Sequence, residues 1–138
     1  MQKLPRGVRN NNPGNIDYNP KNKWQGQTGI EEGVPKPRFA RFDRPENGIR
    51  AIAKLLLNYH KAGFNTVAKM INRWAPPVEN DTGAYARAVA SEMGLSPFTP
   101  FNFTPVLLAI MVRAIVKHEN GYDPYAASVY DDGIQRAL

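Results

Sequence analysis

Beyond residue 43 apolar positions return every third or fourth residue, whereas before it they come in short scattered runs. Ile49, Ile52, Leu56 and Tyr59 predict a helix, opened by Asp43 as N-cap with Glu46 three residues on, and ended by Gly63. A second helix follows Asn65/Thr66, with Val67, Met70, Ile71 and Trp74 on one face, and stops at Pro76-Pro77. A third runs from about Thr82 to Met93, with Gly94 in the C-terminal signal position. Thr104, followed by Pro105 at the first helical position, opens a fourth that carries Leu107 to Val116 and ends by Gly121. Its apolar residues go almost all round, as a central buried helix requires.

The first 42 residues read differently, being rich in Asn, Gly, Pro and Lys. Ile16, Tyr18, Trp24 and the segment Val34 to Phe42 predict a small irregular hairpin or loops, and Pro35 and Pro37 confine any strand there to an edge. No repeat or linker interrupts the chain. Residues 1–138 are therefore expected as one mainly α domain, α+β in detail, with four or more helices around a buried central helix and a small β-hairpin near the N-terminus.

Composition narrows the chemistry. With 42% hydrophobic and 22% charged residues the 138-residue chain falls in the globular range. The lack of Cys excludes disulfides, Cys-ligated zinc and thiol catalysis, and two His argue against a His-rich metal centre, so no metal or cofactor is expected. The +6 charge is uneven: residues 1–61 hold twelve Lys/Arg and five Asp/Glu, residues 62–138 six and seven. A basic half points to an anionic partner, whether nucleic acid, a membrane surface or an acidic wall polymer. No helix-turn-helix or aromatic-basic RNA motif is present, and Glu31-Glu32 interrupts the basic half, so nucleic acid is not expected. The longest apolar stretch, Val106 to Val116, contains Arg113 and is too short to span a membrane. Lys3, Arg6 and Arg9 lead into Asn10-Asn11-Asn12-Pro13-Gly14 and not into the apolar run of a signal peptide. Synthesis in the cytoplasm without a signal peptide, no membrane insertion and a monomeric state are the expectations.

Glu119, in His118-Glu119-Asn120-Gly121-Tyr122, stands at the C-terminal end of the most apolar helix. A carboxylate there opposes the helix dipole at a typical cost of about 0.3–1 kcal/mol, which favours the protonated form that a glycosidic general acid starts from. On these residues alone a solvated Glu at a frayed helix end, beside Lys117, is the favoured reading.

Glu119-Asn120-Gly121-Tyr122-Asp123-Pro124-Tyr125-Ala126-Ala127-Ser128 resembles the E-S-G-[FY]-x-P-x-A-x-S signature of soluble lytic transglycosylases. Trp74, Glu79 and Tyr85-Ala86-Arg87-Ala88-Val89 are similar to a later Trp, Glu and Tyr-Val-x-x-V stretch of that family. Asn11-Asn12-Pro13-Gly14-Asn15-Ile16, Trp24-Gln25-Gly26, Thr28-Gly29-Ile30-Glu31, Phe39-Ala40-Arg41-Phe42 and Glu46-Asn47-Gly48-Ile49 resemble the N-N-L-F-G-I-K, W-x-G, T-x-E, F-R-x-[FY] and E-S-[FILV] motifs of flagellar-type N-acetylglucosaminidases. Both belong to the lysozyme superfamily, and in both the E-S-G helix precedes the N-N-x-x-G-I segment. Here the order is reversed, and joining Leu138 to Met1 restores it, as in a circular permutant. The start of the chain also resembles small phage-encoded proteins beginning R-[GIV]-x-R-N-N-N-P-G-N-I, often described as virion structural proteins.

The resemblance implies a permuted lysozyme-like domain over residues 1–138 that cleaves the MurNAc–GlcNAc linkage of peptidoglycan, as a lytic transglycosylase or muramidase. The partner would be the wall, reached through a holin-made hole or as part of a phage particle. It makes Glu119 the catalytic acid and Glu31 a second carboxylate, with Glu32 its rival in a short strand. Tyr85 becomes a substrate-side residue near the acid; Trp24, Trp74 and Tyr122 are candidates to stack on sugar rings, and Asn11, Asn12 and Asn15 to bind acetamido groups. Trp74 is in phase with core positions, and His118 reads as surface. The alternative of another class is a non-catalytic virion structural or wall-binding protein on the same fold.

Overall fold

A computed structural model describes residues 3–138. Its elements are α1 (Arg6–Arg9), β1 (Gln27–Ile30), β2 (Ala40–Phe42), α2 (Pro45–Lys61), α3 (Val67–Trp74), α4 (Thr82–Met93), α5 (Pro105–Asn120) and α6 (Ala127–Ala137). The chain is thus mainly helical, with one two-stranded antiparallel sheet, as the polar–apolar pattern predicts. The sheet pairs Gln27 with Phe42 and Ile30 with Ala40 across a bulge, and an isolated bridge between Asp17 and Phe39 extends it toward the N-terminal loop. Pro35 and Pro37 lie in the connection and so remove no ladder hydrogen bond.

The helix boundaries follow their local chemistry. Thr66 and Thr104 each accept a hydrogen bond from the backbone N–H three residues on, and Asp81 does the same for α4; such a cap contributes about 1 kcal/mol. Gly94 and Gly121 close α4 and α5 in the left-handed conformation. The start of α2 departs from expectation. Arg44 is its N-cap, and the Asp43 carboxylate instead accepts from the Asn47 side chain at 2.8 Å. That shift fixes the corner where Asp43 N–H also bonds to the Gly26 carbonyl.

Two further helices lie outside the sequence expectation. α6 buries Tyr130, Gly133, Ile134 and Ala137 against α2, and Gly133 allows the close crossing, because a Cβ there would come within 2.6 Å of Ile49 Cβ. α1 is one turn, packed beside the end of α5. The core is continuous, from Ile16, Ala40 and Phe42 of the loop-rich third to Ile49, Ile52, Leu56, Met70, Tyr85, Leu108, Met111, Ile115 and Tyr130. α5 shares its centre with α2; its first turn is open, with Val106 68% exposed. No helix among the described residues is long and apolar enough to cross a membrane.

Candidate active site

The Asn-rich turn before Ile16 builds one wall of the site, and each of its asparagines has a different job. Asn10 donates to Glu31 Oε2 at 3.1 Å, and Asn11 donates to the Phe42 carbonyl at 3.1 Å. Asn12 is fully buried; it accepts from Ile16 N–H and donates to the Ile16 and Ala40 carbonyls. Asn11 and Asn15 take positive φ of 52° and 50°, which Asn tolerates better than other residues with a Cβ. The turn rests on α2 through Gly14 and Gly48. A Cβ on Gly14 would come 2.7 Å from Ile52 Cγ1 and 2.9 Å from Trp74 Cζ2.

The result is that Asn15 points at the end of α5. Its Nδ2 donates to Glu119 Oε1 at 2.9 Å, and the buried Tyr85 hydroxyl of α4 donates to Glu119 Oε2 at 2.7 Å. Asn120, one residue on, donates to the Pro13 and Val116 carbonyls, both at 2.8 Å, and so ties the helix end to the same turn. The amide oxygens of Asn15 and Asn120 both face Gly7, where a Cβ would stand 3.0 and 2.8 Å from them. Tyr85 is itself framed. The His118 ring stacks on it with centroids 3.7 Å apart. Burial first, then the neighbouring Glu119, pushes the Tyr85 phenol far above its ordinary range, so it remains a donor at any pH the fold survives.

Glu119 is half-buried and lines a cleft of about 750 Å³ between the loop-rich third and the helical body. Trp24 and Asn15 line it with Glu119. Trp24 is placed by a turn in which Gln27 N–H bonds to the Trp24 carbonyl, with Gly26 in the left-handed conformation. Opposite stand Trp74 and the segment 75–80. Arg38 spans the opening, paired with Asp17 at 2.6 Å and with Glu79 of the α3–α4 connection at 3.0 Å. Trp74 packs against the core, as its phase predicts, and also lines the cleft, while His118 is exposed, as predicted, with its ring laid over Tyr85. The omissions of sequence reasoning lie elsewhere. It gave no role to Asp17 or Arg38 and used Glu79 only as a motif position. The alternation of Trp74 and Tyr85 around Glu79 was the signal that could have placed them together.

Four predicted site residues fall elsewhere. Glu31 does not line the cleft: it is 2% exposed, held by Arg6 through two hydrogen bonds, by Asn10, and by the backbone N–H groups of Arg38 and Phe39. Every carboxylate oxygen is used to pin α1 to the sheet, so no lone pair is left for a substrate or water. Glu32, its rival, is exposed and pairs with Arg41 at 3.0 Å. Asn11 gives its amide to the Phe42 carbonyl, and Asn12 spends its own inside the turn. Tyr122 is 44% exposed and does not line the cleft, because left-handed Gly121 turns the chain away from the α5 axis. Among the described residues no group of three or more His, Cys, Asp or Glu is placed to hold a metal ion.

The Glu31 network has a measurable consequence. The Arg6 guanidinium, opposed by burial and helped by the two backbone N–H groups, holds the Glu31 carboxyl down at about 2. Its ordinary value is 4.5, so between those limits the unfolded chain binds the extra proton. Its contribution to stability is present above pH 4.5 and is lost as pH falls toward 2. Glu31→Gln is expected to melt lower than the parent at pH 7, with the gap closing below pH 3; scanning calorimetry across that range checks it.

The cleft defines a class: a helical body and a loop-rich wall that hold one carboxylate between two donors, without a cationic partner among the described residues. The chain is 35% identical over 135 residues to Protein P5 of Pseudoalteromonas phage PM2, a match covering 96% of this chain and 79% of that protein. It belongs to the family of that phage protein. No protein-family model matches the chain.

Proposed function

We propose that the protein cleaves the glycan strands of peptidoglycan at the MurNAc–GlcNAc linkage, with Glu119 as the acid, in the service of a phage. The observation that carries this reading is the Glu119 carboxyl itself, set in the wall of an open cleft by Asn15 and Tyr85. Protonated, it delivers its proton to the glycosidic oxygen as the bond from that oxygen to the anomeric carbon breaks. The two donors then stabilise the carboxylate left behind and hold it in place for the return step.

The other cleft carboxylates, Asp17 and Glu79, are both tied to Arg38, and Glu31 is engaged outside it. This favours the one-acid route. Glu119 takes the proton of the sugar's own 6-hydroxyl as that oxygen bonds to the anomeric carbon, giving a 1,6-anhydro end without water. Trp24 offers a flat apolar face beside the acid for a sugar ring. The permuted lysozyme-like reading is supported by the meeting of the two exchanged motifs at Glu119. Asn15 belongs to the N-N-x-x-G-I segment and Glu119 to the E-S-G segment, 104 residues apart in this chain.

Digestion of purified sacculi followed by mass spectrometry tests this, with anhydro ends as the expected product. Absence of any released muropeptide would leave the non-catalytic virion or wall-binding reading in its place. Tyr85→Phe removes one donor from the carboxylate while keeping the ring that packs on His118. It is expected to lower kcat by about tenfold or more with KM little changed. A change in KM alone would make Tyr85 a binding residue and not one that positions the acid.

A further inference from the structure

The cleft carries two guanidinium groups, and they are used differently. Arg38 is neutralised twice, by Asp17 and Glu79. Arg73, on α3, lines the same cleft and has no carboxylate partner among the described residues. It is held instead by rings: its guanidinium carbon is 5.9 Å from the centre of Tyr59 and 5.7 Å from that of Phe64, which meet edge to face at 6.3 Å. Tyr59 lines the cleft beside it.

Aromatic contact fixes a guanidinium without using up its N–H donors, and the planar fork so held matches a carboxylate with two parallel hydrogen bonds. The cleft's own spare carboxylates turn to Arg38, which leaves Arg73 uncompensated where a ligand would lie. We propose, on the glycan-cleaving reading of this cleft, that Arg73 recognises a carboxylate carried by the glycan and so selects anionic strands over neutral amino-sugar polymers. Two sources supply that group, the lactyl ether on the sugar and the peptide attached to it.

The test is equilibrium binding to the Glu119→Gln protein, which holds strands without turnover, compared with the same protein also carrying Arg73→Met. Three probes are used: peptide-free strands with free lactyl carboxylates, the same strands with those groups converted to methylamides, and peptide-bearing strands. Arg73→Met is expected to weaken binding to the peptide-free strands about tenfold and to leave the methylamide strands unchanged. A loss confined to the peptide-bearing strands supports the assignment and names the peptide as the source. Equal affinities of the two proteins for all three probes, an equal loss on all three, or no binding to any of them overturns it. Charge-dependent binding together with a wild type that cleaves nothing upholds the role of Arg73 and overturns the cleavage reading alone.

Discussion

Glu119→Gln is expected to lower the release of muropeptides from sacculi by about a thousandfold or more, while the melting temperature stays close to that of the parent. The two parts of this result come from the same geometry. The amide has the size of the carboxyl and accepts from Tyr85 as before; a flip of the Asn15 amide, whose Oδ1 otherwise faces Gly7 without a hydrogen-bond partner among the described residues, lets the new side-chain N–H donate to that oxygen. Packing and hydrogen bonding therefore survive, and only the exchangeable proton is lost. Glu31→Gln should show the converse, a stability loss with kcat kept. Should the two variants lose activity alike, the acid is not Glu119 alone, and the cleft assignment fails. The measurement is initial rate on sacculi for both proteins, paired with thermal melts.

Gly48→Ala should be the most damaging single methyl group in the molecule. A Cβ at Gly48 would overlap the Asn11 carbonyl oxygen outright and stand 2.8 Å from Pro13 Cδ. These are main-chain and ring atoms, so no side-chain rotation relieves the clash. Asn11 is further fixed by its positive φ and by its bond to the Phe42 carbonyl. The turn must lift off α2, at a cost on the order of 3 kcal/mol, or roughly a 10 °C drop in Tm. Because Asn15 rides on the same turn, activity should fall further than stability explains. Gly83→Ala is the control: a Cβ there meets the flexible end of Arg87 at 3.3 Å and Asp81 Oδ1 at an ordinary 3.9 Å, inside α4. It should be neutral or stabilise by about 0.5 kcal/mol. Urea unfolding of the three proteins decides between a seated turn and a loose one.

Where local chemistry sets the structure, the sequence was readable. Thr66, Thr104, Gly94 and Gly121 mark helix ends through hydrogen bonds or backbone angles within a few residues of themselves, and α3, α4 and α5 stand where these residues predict. α6 carries its pattern too, with Tyr130, Gly133, Ile134 and Ala137 on one face, but Gly133 and the pair Asp131-Asp132 weaken the apolar signal. Its helix is held by the crossing with α2, which is tertiary information. The same limit applies at the site. Glu119 is marked by its place at the end of an apolar helix. Glu31 is marked only by its motif, which does not show which charge a carboxylate meets, and Arg6 is 25 residues away. Arg73 and Arg38 are alike in sequence; only the fold shows that one is neutralised and the other is not.

The bonds that orient Glu119 and its neighbour Asn120 join residues separated by 104 and 107 positions. Such contacts form late, since the entropy of closing so long a loop is met only when most of the body has assembled. A ribosome must therefore release both the Asn-rich turn and the end of α5 before the carboxyl can be gripped. During synthesis the growing polypeptide carries the residues of the site but not the site.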